Sequence, residues 1–341
     1  MGVRTSLIPV LVSYLSERRM QVRYNDALSS THKLPGGGPQ GTMVGLIEYL
    51  VQSNDNADCV ETKDKYKYVD DLTILDLICL SQVLTEYNCY QHVPNDIGID
   101  QKFIPPEDLK TQSHLNYISE WTHLNKMKLN EDKSKYMIFK RVTGDITTRL
   151  KMNDVTIERI EEAKIVGVWL TSDLKWAKNT KELCRRAYAR ITMITKLKYA
   201  GTHRNDLIDI YMKYIRSILE YCSVVWHSSL TQQQTNNLES VQKLCLKIIL
   251  GTDYKDYDSA LQQCSLEKLV DRREARCLKF GLKSLTHPKH CKMFPINPQL
   301  DAYDTRRPEH FHVNRANTEQ YRKSTIPYIQ RKLNNYVNSQ K

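Results

Sequence analysis

The chain has 341 residues, 40% of them hydrophobic and 26% charged, and 50 lysines and arginines against 39 acids leave a net charge of +11. Such a length and apolar fraction support two or three domains with cores of their own and exclude a disordered tail. The basic surplus favours a polyanionic partner, because phosphate contacts release counterions.

No apolar run approaches the roughly 20 residues of a bilayer span, and Leu7–Val12 is too short for a secretory signal. Nine cysteines are scattered without a Cys-x-x-Cys pair, which fits a reducing compartment, and His287, His290 and Cys291 close together give only a weak zinc signal. The expectation is an intracellular protein, nuclear or cytoplasmic, with no membrane partner.

In chain order, Leu7–Leu15 reads as a helix and Met20–Tyr24 as a short strand. Leu34-Pro35-Gly36-Gly37-Gly38-Pro39-Gln40-Gly41-Thr42 is the strongest loop signal. The stretch Met43–Val51 after it has helical spacing, with Thr42 placed as N-cap. Lys65–Leu77 alternates, with Tyr66, Tyr68, Asp70, Leu72 and Ile74 assigned to one side, and suggests two strands folded about Asp70-Asp71. A helix is predicted to begin at Pro105-Pro106, with Glu107 and Asp108 in its first turn and Leu109, Leu115, Ile118, Trp121 and Leu124 along one face. Short strands follow at Tyr136–Phe139 and Ile165–Leu170. Beyond Trp176 the character changes to long amphipathic helices. One covers Asp206–Tyr221, and another opens at a Thr231/Gln234 capping box and ends at Gly251. Past Pro288 the chain is proline-punctuated and basic, a composition that suggests loose packing.

Chemistry concentrates in two places. Adjacent carboxylates at a turn between strands, Asp70 and Asp71, suit hard cations, and nucleotidyl transfer uses two Mg²⁺ ions clamped between carboxylates and a triphosphate. A solvated acidic turn has the same sequence. Upstream, glycine lets the backbone approach a nucleotide closely, a following helix N-terminus favours phosphate, and Gln40 offers both donor and acceptor. Alone, that loop is equally an ordinary strand-to-helix turn.

Together, in this order and spacing, these segments resemble the reverse transcriptase family. Gly38-Pro39-Gln40-Gly41-Thr42 matches its Gly-x-Pro-Gln-Gly motif, and Tyr68-Val69-Asp70-Asp71 its aromatic-x-Asp-Asp motif. Leu129-Asn130-Glu131-Asp132-Lys133-Ser134-Lys135 is similar to its downstream lysine segment. Ile165-Val166-Gly167-Val168 followed by Leu174-Lys175-Trp176 is similar to its primer-grip region. Ile215-Arg216-Ser217-Ile218-Leu219-Glu220-Tyr221 with Val225-Trp226, and later Ser324-Thr325-Ile326-Pro327, resemble the region after the polymerase in jockey-like and CR1-like non-LTR retrotransposons.

The resemblance implies an α+β fold: a partial polymerase palm, an antiparallel sheet with helices, then a mainly α-helical thumb and C-terminal helical region. Its expected divisions are a palm at 1–140, primer-grip-like strands at 141–176, a helical thumb and C-terminal domain at 177–287, and a basic tail at 288–341. It implies RNA-directed DNA polymerase chemistry on an RNA template, a DNA primer and deoxynucleotides, with a two-metal Mg²⁺ site. Asp70 would be the essential metal ligand and Asp71 a secondary one. Gly38, Pro39, Gln40 and Gly41 would shape the nucleotide and template pocket, Tyr68 would pack under the primer terminus, and Lys133 would lie near the triphosphate. Lys196, Lys198 and Arg204 would be available to the duplex backbone.

One element of the pattern is out of place. The family's first metal-binding aspartate precedes the glycine-rich loop by a palm strand, and here the one aspartate before Gly36 is Asp26, out of order and too close. The expectation is an N-terminally truncated polymerase, inactive alone because that aspartate and the fingers are missing. The alternatives are a non-catalytic nucleic-acid-binding remnant and a helical interaction protein.

Overall fold

The computed structural model describes residues 4–34, 42–61, 64–68, 71–77, 101–103, 109–139, 145–297 and 309–340. The chain divides into two compact units, Met1–Tyr136 with Val142–Arg159, and Met137–Arg141 with Ile160–Lys341. Helices and small sheets mix as an α+β class requires. Among the described residues the strands pair only two at a time, and no wider sheet forms.

The first unit opens with α1 (Ile8–Leu15), which carries a proline in its first turn, where no N–H is needed. The single strand expected near Met20–Tyr24 is two short ones. Arg19–Met20 pairs with His32–Lys33, and Arg23–Tyr24 pairs with Ala27–Leu28. Asn25, at φ 51°, takes the left-handed conformation that asparagine tolerates at this turn. α2 (Met43–Gln52) starts where its cap predicts, the Thr42 hydroxyl accepting a 3.1 Å bond from the Gly45 N–H.

α3 (Lys110–Leu124) starts later than Pro105-Pro106, and its first turn holds no acid. Glu107 and Asp108 lie outside the described residues. Leu109 explains the late start: it stays extended and buried, packed with Leu150, Met152 and Ile157, and the helix begins only after it. Ile118 and Trp121 of the expected apolar face are buried, whereas Leu124, at the final turn, is exposed.

The second unit begins with the antiparallel pair Glu162–Ile165 and Val168–Thr171, followed by α4 (Ala177–Tyr199). The single helix read over 206–221 is instead three segments: α5 (Arg204–Ile210), a wider π turn over Tyr211–Arg216, and α6 (Ser217–Leu219). After α7 (Ser223–Trp226), α8 (Gln232–Leu250) opens on the predicted capping box. Thr231 Oγ1 accepts from the Gln234 N–H at 3.2 Å, and Gln234 Oε1 accepts from the Thr231 N–H at 2.8 Å. Gly251 closes α8 at φ 61°, and a Cβ there would stand 2.6 Å from Lys198 Nζ, which donates to the Ile248 carbonyl. Lys198 thereby caps the negative end of α8.

Leu183, Ala187 and Ile194 of α4, Tyr211 and Ile215 of the π turn, Trp226, and Leu238 and Val241 of α8 share one core. α9 (Tyr257–Gln263) and α10 (Leu269–Leu285) follow, then α11 (Glu319–Arg322) and α12 (Thr325–Ser339). α12 packs more densely than its proline-punctuated, basic surroundings suggest. Ile329 and Leu333 are fully buried with Cys277, Phe294 and Phe311. The approach is close because Gly281 of α10 leaves room for Ile329: a Cβ there would lie 2.6 Å from Ile329 Cγ2.

Candidate functional site

Asp71, the described member of the acidic pair, belongs to a hairpin, as the alternation around it predicted. Lys65–Tyr68 pairs antiparallel with Asp71–Ile74, and Tyr68 opposite Asp71 is the last pair before the turn. Val69 and Asp70 lie outside the described residues, as do Gly38, Pro39, Gln40 and Gly41. The expected juxtaposition of Asp70 with the glycine-rich loop therefore falls outside the described residues.

The register corrects which residues share a face. Opposed residues of an antiparallel pair point to the same side. Tyr66 and Tyr68 thus share a face with Thr73 and Asp71, and Lys65 and Lys67 share the other with Ile74 and Leu72. With two residues between Tyr68 and Asp71, the even-numbered tyrosines match odd-numbered partners, so Leu72 and Ile74 sit opposite the tyrosines rather than beside them. Tyr66 and Tyr68 are 56% and 62% exposed, and Asp71 is exposed beside them.

The underside is anchored. Leu72 and Ile74 pack on Ala57, Val60 and Ile118, together with Leu129. Lys65 Nζ donates to the Ala57 carbonyl and to Asp58 Oδ1, both at 2.9 Å, and Lys67 Nζ donates to the Ser53 and Asn54 carbonyls at 2.8 and 3.1 Å. Burial, with Lys65 adding repulsion, holds the Lys67 ammonium below the usual lysine range.

Leu129 joins the hairpin's apolar floor to the segment carrying Lys133. Asn130 shapes the turn that follows: its Oδ1 accepts from the Lys133 N–H at 3.1 Å, and its carbonyl accepts from the Ser134 N–H at 3.0 Å. The Lys133 side chain is exposed. Two segments more than fifty residues apart in sequence are thus fixed to one small core, one presenting Asp71 and the other Lys133.

In the second unit, three further segments singled out by sequence meet. The Tyr221 hydroxyl donates to the Val166 carbonyl at 2.9 Å, and the Thr325 hydroxyl donates to the Val225 carbonyl at 2.8 Å. Trp226 is fully buried and donates from its indole to the Tyr221 carbonyl at 3.0 Å. Two of the lysines and arginines expected to face nucleic acid are engaged internally: Lys198 caps α8, and Arg204 pairs with Asp253.

Sequence reasoning missed a charged cluster at the same junction. Glu220, only 2% exposed, is held by Arg272 Nε at 2.6 Å and by Arg276 Nη2 at 2.8 Å. Arg216 lies close enough that burial and then repulsion from Arg272 lower its pKa. Beneath it Arg273 is fully buried, with its guanidinium 5.9 Å from the Trp226 ring centroid and its Nε donating to His227 Nδ1 at 3.3 Å. The spacing of basic residues along α10 was a signal for this cluster, but its partner Glu220 is 52 residues away from Arg272.

No protein-family model matches the chain, and no solved structure matches it. Two curated proteins of Drosophila melanogaster do. The probable RNA-directed DNA polymerase from transposon BS is 22% identical over 251 residues, and that from transposon X-element is 24% identical over 254 residues. Each alignment covers 72% of this chain. The chain is related to transposon RNA-directed DNA polymerases. It spans about a quarter of the length of these relatives, 26% and 25% respectively. Among the described residues no helix is long and apolar enough to cross a membrane, and no group of three or more His, Cys, Asp or Glu could hold a metal ion.

Proposed function

We propose that the chain is part of the reverse transcriptase of a non-LTR retrotransposon of the jockey-like or CR1-like kind. In this reading the first unit supplies part of a palm, and the helices after Trp176 supply a thumb and C-terminal extension. The observation that carries the reading is the small core shared by Leu72 and Ile74, next to Asp71 in the hairpin, and by Leu129, which opens the segment of Lys133. It supports one site built from the aromatic-x-Asp-Asp hairpin and the lysine segment, with RNA template, DNA primer and deoxynucleotides as substrates.

The donors suit Mg²⁺. Asp71 is an exposed carboxylate beside Tyr68, and hard oxygen ligands are what that cation takes. Asp70 and Asp71 would hold it, and a bound pair of such ions stabilises the attacking and leaving oxygens of an in-line displacement. Gly38, Pro39, Gln40 and Gly41 would bound the nucleotide, Tyr68 would support the primer end, and Lys133 would meet the triphosphate charge.

These 341 residues alone should not extend a primer, because the resemblance puts a further metal-binding aspartate before the loop. Asp26 does not replace it; it lies in the turn between Arg23–Tyr24 and Ala27–Leu28 and is exposed to solvent. The reading is tested by joining the chain to the upstream palm region of a transposon polymerase and assaying primer extension on RNA with Mg²⁺. Incorporation should appear in the joined protein, vanish with Asp70→Ala and fall with Asp71→Ala, while template binding persists. Incorporation that survives both substitutions would sink the assignment.

A further inference from the structure

Along α10, Arg272, Arg276, Lys279 and Lys283 recur at intervals of four, three and four residues. At 100° and 1.5 Å per residue they occupy a sector about 60° wide and a row about 16 Å long. Arg276, Lys279 and Lys283 are exposed, and Arg272 is half-buried.

A helix face that is merely solvated usually alternates signs, so that i,i+4 neighbours attract. Here the i,i+4 neighbours Arg272 and Arg276, and Lys279 and Lys283, carry like charges and repel. Glu220 and Glu267 are the acids paired to this row, both through its N-terminal end. Lys279 and Lys283 have no ion-pair partner among the described residues. Glu274, on the far side of the helix, is occupied by Lys332 at 2.6 Å. The row therefore keeps an uncompensated positive charge that the fold itself does not use. At 3.4 Å of rise per nucleotide, its length matches the backbone of roughly five successive nucleotides. No aromatic side chain lies in the 60° sector, so bases would not be stacked or read.

We propose that this row of α10 binds the phosphate backbone of a nucleic acid without reading its sequence. The surface lies in the second unit, needs no metal, and acts whether or not the Asp71 hairpin performs chemistry.

The test uses the whole 341-residue chain and fluorescein-labelled RNA or duplex DNA, with anisotropy followed from roughly 50 to 200 mM salt. Arg276→Glu, Lys279→Glu and Lys283→Glu combined should weaken binding at least about tenfold and flatten the log–log salt slope by about 2, since each lost contact removes 0.7 to 0.9. A control with the same change in net charge, Lys247→Glu, Lys255→Glu and Lys289→Glu, should leave the slope as it was. Equal weakening by both variants, an unchanged slope in the row variant, or no binding by the parent chain overturns the proposal. Should the row variant not fold, acetylation of the parent chain decides: bound RNA should shield Lys279 and Lys283 but not Lys247, and equal labelling overturns it. Asp71→Asn should leave this binding intact, so failure here and failure of the polymerase reading are separable.

Discussion

The hydroxyl of Tyr221 donates a 2.9 Å hydrogen bond to the carbonyl of Val166, a residue 55 positions earlier. Val166 and Gly167, at φ 45° and 84°, are the two residues between Ile165 and its partner Val168. Both sit in the left-handed region, as tight hairpin turns with the right twist require. A β-branched residue pays heavily for that conformation, and the Tyr221 hydroxyl stabilises it. The ring also lies over Gly167, where a Cβ would come within 3.1 Å of Tyr221 Cε1.

Tyr221→Phe should therefore cost about 1 kcal/mol, the net worth of one hydrogen bond. Gly167→Ala should cost about 1–2 kcal/mol from the positive φ alone, before the crowding against the ring. Urea denaturation measures both. Because the two sites touch, the double variant should depart from the sum of the single effects by more than about 0.5 kcal/mol. Strict additivity would mean that the contact carries no energy.

His227 makes stability fall in acid. Burial, followed by the nearby Arg273 guanidinium, pushes its pKa down to about 4 from an ordinary 6.5. Above pH 6.5 the ring is neutral in both folded and unfolded chains, and it contributes no pH dependence. Between 6.5 and 4 only the unfolded chain takes up the proton, so stability drops as pH falls and levels off below 4, by about 3 kcal/mol in all. His227→Gln keeps an acceptor for Arg273 without that titration. Its stability curve, measured by thermal melts from pH 7 to 4, should lack this part of the decline; curves parallel to the parent's would refute the assignment.

Gly281→Ala should loosen α12. The added methyl meets Ile329 Cγ2 at 2.6 Å and the Leu333 methyls at 3.3 Å, and overpacking of this kind costs about 1–3 kcal/mol. Limited proteolysis should then cut within residues 309–340 earlier than in the parent chain. An unchanged cleavage pattern would show that the crossing has room to spare.

Glu220→Gln should destabilise the second unit by about 2 kcal/mol, because it leaves Arg272 and Arg276 without their shared carboxylate. Added sulfate should restore part of the loss in the variant more than in the parent, as read from melting temperatures. Equal responses to sulfate would argue that the guanidiniums are already satisfied by solvent.

What the sequence disclosed was local. Thr42, the Thr231/Gln234 box and Gly251 each act on backbone groups within four residues, so their meaning is written beside them. The hairpin was legible for the same reason, yet its facing was not. The pairing of Tyr68 with Asp71 decides which side Leu72 occupies, and residue types alone leave that offset open. The start of α3 was misplaced because Leu109 is held extended by Leu150, Met152 and Ile157, about forty residues onward. Of the candidate site, the sequence named Tyr68, Asp71 and Lys133, but it gave no sign that the Leu129 side chain packs on the floor of the hairpin. Glu220 and its arginines stayed hidden, since nothing near Glu220 in sequence reveals partners on α10.

Lys67 ties the hairpin to the end of α2, and Thr42 starts that same helix directly after the glycine-rich segment. α2 is then a ruler of ten residues, about 15 Å long, with Thr42 at its zero mark and the carbonyls that hold Lys67 at its far end. Adding or deleting a single residue within it would swing one end through about 100° relative to the other. The length of α2, more than any one of its side chains, therefore sets how far Thr42 stands from the anchor of Lys67.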